Sequence, residues 1–299
     1  MSAAMTAARW PSIVQKDLSI CFLDQYRDFP SMLPLIFRFK DAEQATEHDL
    51  EVGDTGNVPE FTGEITYDDV QEGYKKSVSE REYAYGMKVT RRLLRNDLYG
   101  VIQDRTRLLA DSFRALRETS GAAVFNNAFT TFTVGDGLSL CNASHTSKYA
   151  GVGTQSNAGS LAFSAVNLFA TQLLFKKFKT NRDNVMYNIP DTLIIPMDLE
   201  EKAYEIISAS GKVDTQLNNR NYHEGKYKCI VWDNFLNSSS AWFFVNSKMM
   251  KQKLIFREWE PVQFFRSGEF DSLVLKMAGY CSYEKSTVEW RWVYGNNPS

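Results

Sequence analysis

The chain is poor in the residues that carry out chemistry. Among 299 residues it has four cysteines and three histidines. Cys21, Cys141, Cys229 and Cys281 lie far apart and none belongs to a CxxC pair, which excludes a disulfide framework or zinc knuckle of ordinary spacing. His48, His145 and His223 each lack an acid or nucleophile partner at a useful separation in sequence. Cys141 and His145 are four apart, but a zinc site needs two more ligands and the surrounding residues offer none. No GxSxG, HExxH or phosphate-binding loop is present. No apolar run approaches the ~20 residues that cross a bilayer, and the first residues hold no apolar core of signal-peptide length. The expectation is a non-enzymatic protein without cofactor, metal or membrane partner, soluble and intracellular when made.

Charge of one sign is also missing over long stretches. Asp41 to Glu72 holds eleven acidic residues and no Lys or Arg, whereas Gly73 to Arg95 holds seven Lys or Arg against two Glu. From 119 to 175 only Asp136 and Lys148 are charged. The two charged arms are short of aliphatic residues and cannot bury much of their own surface. Exposed ion pairs contribute only ~0–1 kcal/mol each, so pairing between the arms would not hold this excursion down. Ordering it calls for cover, which a neighbouring copy of the chain supplies. The overall formal charge of −2 argues against a dedicated nucleic-acid binder, because a duplex carries one negative charge per ~1.7 Å and selects a basic face.

What is present fits a globular chain, with 43% hydrophobic and 13% aromatic residues. Residues 1–40 mix short apolar patches with Pro11, Pro30 and Pro34; Leu33, Leu35, Ile36, Phe37 and Phe39 suggest a short strand or a docking arm. Tyr83, Tyr85, Met87 and Val89 alternate at the period of a strand. A long helix is predicted from about Asn96 to Ala128, capped by Asn96 or Asp97, with Gly121 bending or ending it. At 1.5 Å per residue it spans roughly 45–50 Å. A hairpin turn is expected at Gly135-Asp136-Gly137, a helix from Ser164 to about Lys179, and a strand over Thr192–Ile195. Asp198 and Glu201 suit the start of a further helix that Gly211 closes. Strands are expected over Lys228–Trp232, Ala241–Val245, Leu254–Phe256, Ser272–Met277 and Val288–Tyr294, with Val288, Trp290, Trp292 and Tyr294 on one face. Helices do not alternate strictly with strands, so the fold class is α+β.

Three stretches carry a likeness to a known family. They are Leu109-Ala110-Asp111-Ser112 through Phe125-Asn126-Asn127-Ala128-Phe129, Gly135-Asp136-Gly137 through His145 to Gly153-Thr154-Gln155-Ser156-Asn157, and Phe270-Asp271-Ser272 followed by Val288-Glu289-Trp290-Arg291-Trp292. With the charged arms, the chain resembles the major capsid proteins of tailed bacteriophages, and within them the Mu-like major head subunit group. The resemblance implies an N-terminal arm over 1–40, an extended loop over 41–95 and a peripheral domain with a spine helix over 96–161. An axial domain over 162–255 and peripheral C-terminal strands over 256–299 complete it. It further implies hexamers and pentamers of one chain in an icosahedral shell enclosing double-stranded DNA. A portal, decoration proteins and a separate scaffolding protein would be its partners, because 1–40 is short for a cleaved scaffold. Synthesis is expected in the host bacterial cytoplasm and the final location in the virion.

Glu60, Glu64, Asp68 and Asp69 in the acidic arm, with Arg81, Arg91, Arg92 and Arg95 in the basic arm, are the expected contacts between subunits. By position alone, Lys75 and Lys76 are candidates for the covalent crosslink that some relatives form, and no crosslink belongs to the expectation. The rival readings are an encapsulin-type nanocompartment shell and an enzyme of unknown chemistry built on Asp136 and His145.

Overall fold

The computed structural model describes residues 10–28, 30–54, 58–61, 63, 65, 67, 72–90, 92, 93, 96, 100–149, 151–211, 220–233, 235–269 and 274–298. Helix α1 (Trp10–Arg27) and the single turn α2 (Leu33–Ile36) precede strand β1 (Arg38–Asp41). Strands β2 (Thr46–Val52), β3 (Glu72–Ser79) and β4 (Glu82–Thr90) carry the charged arms, and the long helix α3 (Val101–Asn126) follows. Next come β5 (Ala158–Gly159), α4 (Ala165–Phe175), β6 (Thr192–Ile195), α5 (Glu200–Ser208) and β7 (Lys228–Val231). The chain ends with β8 (Trp242–Val245), α6 (Ser247–Lys253), β9 (Ile255–Glu269), β10 (Val274–Ser286) and β11 (Val293–Asn296).

These elements form two sheets and a ribbon. The four-stranded sheet has the order β1-β9-β10-β4, with β1 parallel to β9 and the other pairs antiparallel. Helices α1 and α3 pack together through Phe22, whose ring meets Phe113 at 6.2 Å and Phe264 of β9 at 4.9 Å. Arg117 of α3 adds a polar tie, donating to the Tyr26 hydroxyl of α1 at 2.8 Å and lying 3.0 Å from Glu258 of β9. The helix can approach the sheet closely because Gly279 in β10 leaves room for the Phe113 ring; any Cβ there would overlap it.

The five-stranded sheet has the order β5-β11-β8-β6-β7. Strands β6 and β8 are buried throughout, and their runs Thr192–Ile195 and Trp242–Val245 are apolar on both faces, apart from Thr192. Leu193, Ile195, Trp242 and Phe244 face one core cluster with Leu168 of α4 and Ile206 of α5. Ile194, Phe243 and Val245 face the larger cluster, which holds Phe125 from the end of α3 and Met250 of α6. Among the described residues, strands β2 and β3 pair with each other alone, as an antiparallel ribbon.

Several expectations are corrected. Leu33–Ile36 is a helical turn with Pro34 near its start, and the strand follows at Arg38–Asp41, while α1 occupies much of what reads as an arm. The long helix begins after Gly100, whose φ of 70° breaks the backbone direction, so Asn96 does not cap it and Asp97 lies outside the described residues. Gly121 does not end α3, which continues to Asn126; it sits where Leu33, Phe37 and Trp232 press against the helix. Ser164 does cap α4, accepting from the Asn167 amide at 3.2 Å, but the helix stops at Phe175. The helix α5 ends at Ser208, three residues before Gly211, without a side-chain cap. Strands β9 and β10 run much longer than expected, because each is a partner along the other's length.

The last strand starts at Val293, not Val288. Glu289 folds the preceding residues into a turn by accepting from the amides of Trp290 and Arg291, both at 3.1 Å. Trp290 and Trp292 are buried in the larger cluster without sharing a strand face, and β11 joins the five-stranded sheet beside β8.

Gly121→Ala would place a methyl group against the Leu33 side chain. It should destabilise the folded chain by about 1–3 kcal/mol, read as a lower denaturation midpoint at unchanged slope.

Candidate functional site at the foot of the extended loop

Strand β2 is turned inside out. Asp49 and Glu51 are buried, while Leu50 and Val52 are 61% and 80% exposed. A strand that packs on its own core normally shows the reverse alternation. The acids face inward because the body offers them two buried arginines. Arg257, in β9, has a side chain only 1% exposed and pairs with Asp49 and, at 3.2 Å, with Glu47. Ser286 of β10 also donates to Asp49. The Gln44 and Glu43 amides, with Arg257 beside them, hold the Glu47 carboxyl below its usual range.

The second arginine, Arg291, lies in the turn before β11. It sits 2.8 Å from Glu289 and 3.8 Å from Glu51, and donates to Asn181 at 2.7 Å and to the Lys179 carbonyl at 2.7 Å. Glu51 also accepts from Asn181 at 2.6 Å and from the Tyr74 amide at 3.0 Å. The two carboxylates share one guanidinium and divide unequally. Burial raises Glu289, but the nearer Arg291 charge outweighs this and holds it low. Burial and repulsion from Glu289 push Glu51 up.

Strand β3 is fastened in parallel fashion. Lys148 donates to the Gly73 carbonyl at 3.0 Å, and the Tyr74 and Thr146 hydroxyls lie 3.0 Å apart. Lys76 donates to the Thr133 carbonyl with its ammonium 4.9 Å from the Phe132 ring centroid. Burial lowers the Lys76 ammonium to about 8. Lys76 is thus engaged with its own chain, whereas Lys75 is exposed.

Past the foot the loop offers apolar residues to solvent: Val58, Phe61, Ile65 and Tyr67 are 95%, 70%, 69% and 88% exposed. Of the expected contact residues, Glu60, Arg81 and Arg92 are exposed. Arg81 meets Glu284 of its own chain at 2.9 Å. Glu64, Asp68, Asp69, Arg91 and Arg95 lie outside the described residues. The acidic arm's deepest partners, Arg257 and Arg291, were missed by sequence reasoning. The available signal was a lone basic residue inside aromatic-rich runs, Phe256-Arg257 and Trp290-Arg291-Trp292.

The Asp136 and His145 pair also forms, at 2.7 Å, but inside the protein, with side chains 1% and 0% exposed. His145 stacks on Trp290 at 4.4 Å and its other nitrogen lies 3.1 Å from Asn157. Burial raises the Asp136 carboxyl, and hydrogen bonds from His145 and the Leu138 amide more than reverse it. Both side chains are buried, and the stacking of His145 on Trp290 ties this loop to the turn that carries Arg291. Cys141 and Cys281 are buried too, with thiols pushed up by burial, Cys281 to about 11.

Strand β2 therefore buries its acids and exposes its aliphatics. Residues 73–296 match the family model described as phage capsid protein. The chain belongs to the phage capsid protein family. No curated protein matches it. Among solved structures, the subunit titled as the asymmetric unit of the bacteriophage PhiM1 mature capsid aligns with a TM-score of 0.59 at 9% identity, over 91% of this chain and 88% of that one. The virus-like particle from Pyrococcus furiosus aligns at 0.55 with 11% identity, over 94% and 98%. The bacteriophage JBD30 capsid decorated with minor capsid protein trimers aligns at 0.54 with 14% identity, over 78% and 100%. The α+β fold of this capsid protein is therefore that of tailed-phage shell subunits.

Two outcomes test the foot. Arg257→Met leaves Asp49 buried without its cation and should cost about 3–5 kcal/mol, measured by denaturant unfolding of the unassembled subunit. The lowered Lys76 value means that the unfolded chain binds more protons than the folded one between about pH 8 and 10.5. Stability from this residue therefore rises with pH through that window. Lys76→Met should remove the rise, seen as the difference between the two chains in melting temperature against pH.

Proposed function

We propose that this capsid protein builds an icosahedral head shell around double-stranded DNA, as hexamers and pentamers of a single chain in the manner of the Mu-like major head subunits. The observation that carries the reading is the outward apolar run of Leu50, Val52, Val58, Phe61, Ile65 and Tyr67 on a loop whose base is locked to its own subunit. A rigid foot fixes the direction of the loop, and an adhesive tip lies over a neighbouring copy. The chain then divides into an arm over 1–40, an extended loop over 41–95, a peripheral domain over 96–161 and 256–299, and an axial domain over 162–255. The α3 helix with the four-stranded sheet supports the peripheral unit, and the five-stranded sheet with α4 and α5 supports the axial one, to which β11 contributes.

The role is mechanical, without a catalytic step or cofactor. Each contact is modest, and closure of the shell multiplies it across many copies. A near-neutral subunit lets packaged DNA slide along the wall, since sequence-independent binding scales with the cations offered to phosphate. A separate scaffolding protein, a portal and decoration proteins are the partners in this reading, with synthesis in the host cytoplasm before incorporation in the virion.

Replacing Glu60, Glu64, Asp68 and Asp69 with Ser, or Arg81, Arg91, Arg92 and Arg95 with Ser, should impair assembly while the monomer stays folded. Electron microscopy and sedimentation of the products, beside circular dichroism, decide the matter. Normal shells from both sets would show that these charges are not the contacts. Phe61→Asp is the sharper case, because it puts a charge into the apolar tip, and it should stop assembly outright.

A further inference from the structure

Segment 221–227 joins the two helices of the five-stranded unit. The Asn221 carboxamide donates to the Ile206 carbonyl of α5 at 2.6 Å and to the Ala209 carbonyl just beyond it at 2.9 Å. The Gly225 amide adds a third bond, to the Ile207 carbonyl at 3.0 Å. Toward α4, the Tyr227 hydroxyl donates to Gln172 at 3.2 Å, and the Tyr222 ring meets Phe169 edge-on at 5.5 Å.

His223 makes the remaining tie to α4, and it is the one that a proton can undo. The residue is buried, at 5% exposure. Its Nε2 lies 3.0 Å from the Ala165 carbonyl, which can only accept, so Nε2 carries the hydrogen. The neutral ring then keeps a lone pair on Nδ1, which is buried with no hydrogen-bond partner among the described residues. A hydrogen placed there would be a buried donor with nothing to receive it, on a ring that has become a cation.

The charges around the ring do not favour that cation. Lys226, whose ammonium lies over the Tyr222 ring, has the same sign. Glu224 faces Arg220 at 4.0 Å, and Lys228 is exposed. Helix α4 and strand β8, whose Phe244 packs on Tyr227, hold no charged residue. Glu200, Glu201, Lys202 and Glu205 of α5 are all exposed. Lys212 and Asp214 lie outside the described residues. Burial, with Lys226 beside it, keeps the His223 ring below its ordinary value of 6.5.

We infer that His223 is an acid-operated latch: a proton taken from solvent onto Nδ1 frees segment 221–227 from α4. The released segment binds more protons than the fastened one below about pH 6.5, so the fastened state loses stability as the pH falls and keeps it above. Release uncovers Phe169 and Gln172 on a helix that already shows Val166 and Leu173 at 78% and 46% exposure, so acid enlarges an apolar surface. Every group involved belongs to one chain, and the latch therefore stands apart from the shell reading.

Hydrogen exchange of the unassembled full chain tests it, with nuclear magnetic resonance of the imidazoles alongside. Between pH 7 and 5 the amides of 221–227 should exchange on the order of tenfold faster than the intrinsic rate change accounts for, as His223 becomes charged. His223→Gln keeps a donor for the Ala165 carbonyl and takes up no proton, so it should lose this gain. Lys226→Gln removes the like charge and should move the midpoint to higher pH. An equal gain in His223→Gln, a charged His223 with these amides still protected, or no gain in the unaltered chain overturns the latch. Should circular dichroism show His223→Gln unfolded at pH 7, Lys226→Gln decides, and an unmoved midpoint overturns it.

Discussion

The structure depends on two arginines that the body buries and the loop neutralises. A guanidinium taken out of water costs several kcal/mol unless carboxylates and carbonyls complete its hydrogen bonds. Arg257 finds Asp49 and Glu47, and Arg291 finds Glu289, Glu51, Asn181 and the Lys179 carbonyl. Asp49 and Glu51 sit two residues apart on β2, whereas Arg257 is in β9 of one sheet and Arg291 precedes β11 of the other. One strand therefore satisfies a cation from each half of the molecule. The placing of β2 is thereby tied to both sheets, through Arg257 on one side and Arg291 on the other.

Turning β2 inward for its acids has an unavoidable consequence at period two: Leu50 and Val52 must point outward. The strand cannot hide them without withdrawing Asp49 and Glu51 from their partners and leaving Arg257 buried without a carboxylate. Intramolecular electrostatics thus forces apolar exposure on this strand.

Much of the architecture was legible because it is local. Thr192–Ile195 reads as a strand from four consecutive buried residues, and Ser164 reads as a helix cap from its own hydroxyl. The charge segregation marked out the segment that carries β2, β3 and β4. The foot was not legible, since alternating acids in a polar run look like a solvated face until the partner is seen, and Arg257 lies 208 residues from Asp49. The ending misled for another reason. Val288, Trp290, Trp292 and Tyr294 alternate as strand residues do, yet the carboxylate of Glu289 captures two successive amides and imposes a turn. Helix α1 was not foreseen in residues 1–40, where Pro11 stands in its first turn, a place that tolerates proline because the missing N–H has no partner to lose.

The division between polar and apolar surface also bears on how a shell of such copies holds together in salt. Charge pairs between exposed residues are screened over ~8 Å at physiological ionic strength, so they contribute direction more than strength. Burial of apolar residues is not screened and grows roughly with the area removed from water, at about 25 cal/mol per Å². A subunit whose loop tip and α4 face are apolar, and whose flanking helices are charged, separates these tasks physically. The buried arginines lie outside both sets: Arg257 and Arg291 are held inside the subunit, where salt screens their ion pairs far less than it screens pairs on the surface.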